Sequence, residues 1–160
     1  MIVCNATPLI AFSRIQRLDV LCEVAGKIVI PDEVAKEIRS CKNRRPYGEI
    51  HLEQESWISI ETVQSSAQVQ LLLPVLDRGE AEVIALALER QAKLVLMDEL
   101  TGRKVAQSLD LTVTGTVGIL IRAKQKQLIP AVGPVLEKMR HCGIRYSERF
   151  MRTVLHQVGE

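Results

Sequence analysis

The sequence predicts an α/β fold, a three-layer α/β/α sandwich around a central parallel sheet, built as one domain over residues 1–160. Three observations carry that expectation. Short apolar runs at residues 2–4, 27–30, 57–60, 94–97 and 111–113 alternate with helical patterns. The run Leu94-Val95-Leu96-Met97 is apolar at every position, as a strand covered on both faces must be. Parallel neighbours need long crossovers, and helices are the usual ones.

The elements follow in order. Ile2-Val3-Cys4 reads as a strand ending at Asn5, after which Thr7 is placed to cap a helix and Pro8 to occupy its first turn. Leu9, Ile10, Phe12, Ile15, Leu18, Leu21 and Cys22 then recur at helical spacing up to Gly26. Lys27-Ile28-Val29-Ile30 is the second strand, and Pro31 starts a helix through Arg39. Residues 42–48, Lys42 to Gly48, read as an exposed basic loop, followed by a weak helical stretch and a strand near Trp57. From Gly79 to Arg90 the chain predicts a buried helix, apolar at nearly every position after Glu82. The strand at 94–97 meets Asp98, a helix runs from Glu99 to Leu109, and Leu111-Thr112-Val113 leads through Thr114-Gly115-Thr116 into a helix from Val117 to Lys126. Helices near 131–141 and 147–157 close the chain, so that residues 130–160 are helical.

Composition excludes several classes. With 47% hydrophobic and 25% charged residues the chain is too apolar for disorder and too interrupted by charge for a membrane span. The start at Met1 reaches polar Asn5 without a basic lead or a long apolar run, which predicts a cytoplasmic protein with no membrane partner. Cys4, Cys22, Cys41 and Cys142 form no C-x-x-C and read as reduced thiols, and His51, His141 and His156 show no zinc spacing. Charge is unevenly divided. Residues 1–117 hold 13 Lys and Arg against 16 Asp and Glu, whereas residues 118–160 hold 8 against 3. An acidic body joined to a basic C-terminal quarter suits a cation and a polyanion, although solvated helix faces are often rich in Lys and Arg.

Open parallel sheets bind ligands beyond the carboxyl ends of their strands, which is where Asn5, Asp98 and Thr114 to Thr116 fall. Asp98 reads either as a carboxylate at that rim or as the N-cap of the following helix. Glu37 has no basic residue at a helical pairing distance, so it is a solvated glutamate or one turned toward the strand ends. Glu80 and Glu82 stand at the start of an apolar helix, where they favour its dipole or, if partly buried, require a cation or a proton. If Glu37, Glu82 and Asp98 converge, repulsion decides the chemistry. Two like charges about 4 Å apart oppose each other by roughly 4 kcal/mol at an effective dielectric of about 20. Oxygen ligands with open positions suit Mg²⁺ or Mn²⁺, which points to phosphodiester hydrolysis. The turn at Thr114-Gly115-Thr116-Val117-Gly118 lacks the lysine of a Walker loop, and no G-x-S-x-G supports a serine hydrolase.

Five segments in this order resemble the PIN-domain nucleases, including the VapC toxins of toxin–antitoxin systems: Ile2 through Asn5 to Ile10, Ile30-Pro31 through Val34 to Glu37, Gly79-Glu80-Ala81-Glu82 through Ala87, Leu94 to Asp98 with Arg103 to Ala106, and Thr114-Gly115-Thr116. The glutamate-rich third segment and the long C-terminal helices are most similar to a VapC-like branch. The resemblance implies a Mg²⁺- or Mn²⁺-dependent ribonuclease whose catalytic and metal positions fall on Asn5, Glu37, Glu82 and Asp98, with Glu80, Glu99 and Thr116 auxiliary. It further implies RNA as substrate, a small antitoxin as partner, and a homodimer. Asn5 departs from the pattern, which has aspartate there. An amide oxygen still coordinates a hard cation but brings no charge, so Glu80 or Glu99 is placed to supply it. A weakened or silent domain that binds nucleic acid or a protein partner is the alternative.

Overall fold

A computed structural model describes residues 1–41 and 49–160, so the basic loop read at 42–48 lies outside the described residues. Five parallel strands form one sheet: β1 (Ile2–Cys4), β2 (Ile28–Pro31), β3 (Ile58–Glu61), β4 (Leu94–Leu96) and β5 (Val113–Thr114), in the order β3-β2-β1-β4-β5. Cys4 pairs with Leu96 and Leu96 with Thr114, so β1, β4 and β5 end side by side. Among the described residues nine α-helices surround the sheet: α1 (Ala6–Arg14), α2 (Leu18–Ala25), α3 (Asp32–Ser40), α4 (Ser66–Leu72), α5 (Arg78–Glu89), α6 (Leu100–Ser108), α7 (Thr116–Gln125), α8 (Gly133–His141) and α9 (Glu148–Val158). The expected three-layer α/β/α arrangement is the one formed.

The helix α5 lies against β1, β2 and β4 and is buried without interruption from Gly79 to Ala87, which is why its sequence shows no polar stripe. Its start is one residue earlier than the sequence suggests, because Asp77 caps it. Asp77 Oδ1 accepts from Glu80 N at 2.8 Å while Glu80 Oε2 accepts from Asp77 N at 3.2 Å, a reciprocal capping box.

Three local readings are corrected. Asn5, not Thr7, caps α1, its Oδ1 accepting from Ala6 N at 2.9 Å, because the strand ends one residue before the helix begins. The single apolar pattern from Leu9 to Cys22 is two helices, broken where Gln16 takes φ 57°. Glu99 rather than Asp98 occupies the cap position of α6, which leaves the Asp98 carboxylate for another partner. The helix α4, capped by Ser65, was not visible in the pattern.

At the C-terminal end Met139, Met151 and Val154 are core residues, whereas Phe150 is 39% exposed. Glu160 ties this end down: its carboxylate accepts from Val132 N at 2.9 Å, Gly133 N at 3.0 Å and Lys124 Nζ at 2.8 Å. The four cysteines are free thiols. Among the described residues no helix is long and apolar enough to cross a membrane.

Candidate active site at the strand ends

The register of the sheet brings Asn5, Asp98 and Thr116 to one edge. Asn5 N donates to Leu96 O and Met97 N to Thr114 O, both at 2.9 Å, which locks the ends of β1, β4 and β5 together. Asp98 reaches across to the start of α7, where Oδ1 accepts from Thr116 N at 2.7 Å and Oδ2 from Thr116 Oγ1 at 2.6 Å. Thr116 is fully buried. Gly115 permits this approach, since a Cβ there would stand 2.5 Å from Asp98 Oδ1 and 2.8 Å from Arg103 Nη1. Arg103 Nη1 donates to Met97 O at 2.9 Å, so a guanidinium stands against the same turn. Burial pushes the pKa of the Cys4 thiol and of the Tyr146 phenol up, and the Asp98 charge raises both further.

A second group of acids gathers around Gly79. A Cβ on that residue would lie 3.4 Å from both Glu37 Oε2 and Asp77 Oδ1, and 3.8 Å from Asn5 Oδ1. The bare glycine therefore leaves a space that three oxygens share. Partial burial pushes the Glu37 carboxyl above its ordinary range, and the charges of Asp77 and Glu33 push it further. Glu80 is buried and is raised by that burial and then by Asp77, whose N–H bond partly offsets the rise, with further contributions from Glu99 and Glu37.

Glu82 behaves differently. Its Oε2 accepts from Glu33 N at 3.0 Å and its Oε1 from Arg78 Nε at 3.3 Å, so it brackets the first turn of α3. The two glutamates stand two positions apart on α5, and a helix turns about 200° over two residues, which sends them to different neighbours. Of the residues singled out from sequence, the structure thus groups Asn5 with Glu37, places Glu80 within the field of Glu37 and Glu99, pairs Asp98 with Thr116, and turns Glu82 to α3. Asp77 and Tyr146 are absent from the sequence reading, and Gly79 and Arg103 stand in it as segment residues without a place in the site. The pattern Asp77-x-x-Glu80 before an apolar run is a readable capping signal; the part of the other three at the edge shows only once the fold brings them there.

Beside Asp98 opens a cleft of about 720 Å³ between α1, the strand ends and the loop joining α8 to α9, with Thr7, Arg14, Asp98, Glu99, Tyr146 and Phe150 on its walls.

The whole chain, residues 1–160, matches the DUF3368 family model, a PIN domain. The chain belongs to the PIN-domain family. No curated protein and no solved structure matches it. A PIN domain is a nuclease-type fold, and PIN domains generally use divalent metals. The donors of this PIN domain fit such an ion in kind: around Gly79 they are all oxygen, two carboxylates and an amide, as hard cations prefer. Among the described residues no three His, Cys, Asp or Glu side chains are already disposed to hold a metal.

Proposed function

We propose that this PIN domain is a divalent-metal-dependent endoribonuclease of the VapC-like kind, the toxin of a toxin–antitoxin pair or a related RNA-processing protein working in the cytoplasm. The observation that supports it most is the shared space at Gly79, where Asn5 and Glu37 meet Asp77 at the carboxyl edge of the sheet. Asn5, Glu37 and Asp77 would hold Mg²⁺ or Mn²⁺, with Glu80 and Glu99 adding negative charge. When bound, such an ion draws charge from a phosphoryl oxygen and makes water a better nucleophile near neutral pH.

The chain's own residues supply the rest. Burial and neighbouring acids raise the carboxyls of Glu37 and Glu80, a repulsion that a bound cation would relieve. Asp98, held rigid by both donors of Thr116, presents a fixed charge at the mouth of the cleft. Glu82 acts at one remove by fixing α3, and with it Glu37. A small antitoxin protein and a homodimer complete the proposal, following the VapC likeness.

The alternative, a silent domain that binds RNA or a protein partner, draws on one observation: Asn5 Oδ1 is already engaged with Ala6 N and brings no charge. One assay separates the two. Purified protein is incubated with labelled single-stranded RNA in Mn²⁺, in Mg²⁺ and in chelator, beside Asp98→Asn, which keeps an acceptor for Thr116 N. The expected result is metal-dependent cleavage that falls at least about 100-fold in the variant, on the scale of lost electrostatic stabilisation at a reacting centre. Cleavage equal in both proteins overturns the nuclease reading, and binding without cleavage by the wild type supports the alternative.

A further inference from the structure

The cleft beside Asp98 has a composition that hydrolysis alone does not explain. It is lined in part by the loop entering α9 and the first turn of that helix, where the rings of Tyr146 and Phe150 stack with centroids 5.4 Å apart and planes 21° apart. Tyr146 is the inner ring, its hydroxyl against Met139 Sδ at 3.9 Å, and Phe150 is the outer ring, left 39% exposed. The chain has only five aromatic residues, two of them here. Two cations flank the pair. Arg14 is braced by its bond to Cys142 O at 3.4 Å, and exposed Arg145 sits one residue before Tyr146. Asp98 and Glu99 line the same cleft.

We infer that the Tyr146–Phe150 pair is a stacking shelf for a base of single-stranded RNA, with Arg14 and Arg145 meeting the adjoining phosphates. The inference rests on the nuclease reading and names the part of that site which positions the substrate. Aromatic faces bind bases without regard to sequence, whereas Arg supplies the salt-sensitive share of affinity. A paired strand hides its base faces within the stack, so the shelf selects unpaired RNA. Asp98 and Glu99 repel phosphate and Arg14 and Arg145 attract it, which draws the backbone of the strand toward the arginines. Phe150 and Tyr146 are positioning residues in this arrangement.

The test is binding of a fluorescein-labelled single-stranded oligoribonucleotide, measured by anisotropy in the Asp98→Asn background, for Phe150, Phe150→Ala, Phe150→Leu and Phe150→Trp. An abasic strand of equal length and charge and a duplex RNA serve as further probes, and circular dichroism checks the fold of each variant. Loss of one stacked base is expected to weaken single-strand binding about 5- to 100-fold in Phe150→Ala. Phe150→Leu, which keeps an apolar contact on Tyr146, stays weak, while Phe150→Trp recovers affinity. The abasic strand and the duplex bind alike to all four. Equal binding of the single strand by Phe150 and Phe150→Ala, an equal loss on the abasic strand, or no RNA binding at all overturns the shelf. The two readings fail separately. Asp98-dependent cleavage with KM unchanged in Phe150→Ala removes the shelf and leaves the nuclease; absence of such cleavage with the Phe150 effect intact does the reverse.

Discussion

The two sides of the strand-end edge treat their carboxylates in opposite ways. Asp98 has both oxygens engaged by one residue, Thr116, through an amide and a hydroxyl, with the Arg103 guanidinium against the same turn. Glu37 and Glu80 instead face other acids, and burial and those charges together raise both, even though Glu80 accepts from Asp77 N in the capping box. A carboxylate with each oxygen held by an N–H or O–H group is fixed in place. One that looks onto further carboxylates stores repulsion that only a cation or a proton relieves. The contrast recurs within a single helix turn, where Glu82 brackets α3 and Glu80 joins the acidic group. Proximity to the edge therefore does not decide a residue's part; the identity of its neighbours does.

The sharpest way to break the comparison is to unfasten the satisfied side. Thr116→Val keeps the volume and the backbone N–H but removes the hydroxyl donor from Asp98, in a position with no access to water. The expected loss is about 1.5–3 kcal/mol of stability, the range for a hydrogen bond to a charged group, read by urea denaturation. Thr116→Ser, which restores the donor and loses only a methyl, recovers most of it. If valine and serine cost the same, the hydroxyl bond is not what holds Asp98.

The opposite change loads the unsatisfied side. Asn5→Asp retains an oxygen to cap Ala6 N but adds a charge within about 7 Å of Glu37, opposed by about 1–2 kcal/mol once screening is allowed for. The variant is expected to melt earlier than wild type in chelator and to gain more from Mn²⁺, with tighter metal binding by calorimetry and faster RNA cleavage. A variant that melts and binds metal as wild type does would show that Asn5 faces away from the acidic group.

How far the sequence exposes this edge depends on how local each signal is. Strand ends and the buried helix α5 were legible because their causes lie within a few residues: apolar runs, Pro31, and Gly79 followed by an unbroken apolar stretch. The choice between Glu80 and Glu82 was not, because both begin an apolar helix and both accept from a backbone N–H; the difference lies in the charges set opposite them, Arg78 for Glu82 and Asp77, Glu99 and Glu37 for Glu80. Asp98 was legible as a rim residue, but its partner, Thr116, is 18 positions away. The aromatic shelf was hidden for a similar reason: Phe150 reads as one more apolar residue of α9 beside Met151 and Val154, and only the packing of α8 against α9 shows that it stays outside the core.

The weakest expected effect concerns a satisfied carboxylate far from the edge. Burial alone would raise Glu160, but the Lys124 ammonium and the amides of Gly133 and Val132 outweigh it and bring it from the ordinary 4.5 down to about 2. A carboxyl lowered on folding stabilises the native state fully above its unfolded value, and that stabilisation is lost as pH falls from about 4.5 through about 2. Glu160→Gln keeps an acceptor for the amides but has no charge to lose. It is expected to cost about 1 kcal/mol or less at neutral pH, in the range of a helix cap, and to flatten the fall in melting temperature over that acid window. Identical acid slopes in the two proteins would mean that Glu160 is no more satisfied than a solvated glutamate, and the rule drawn from Asp98 would not extend to the C-terminal helices.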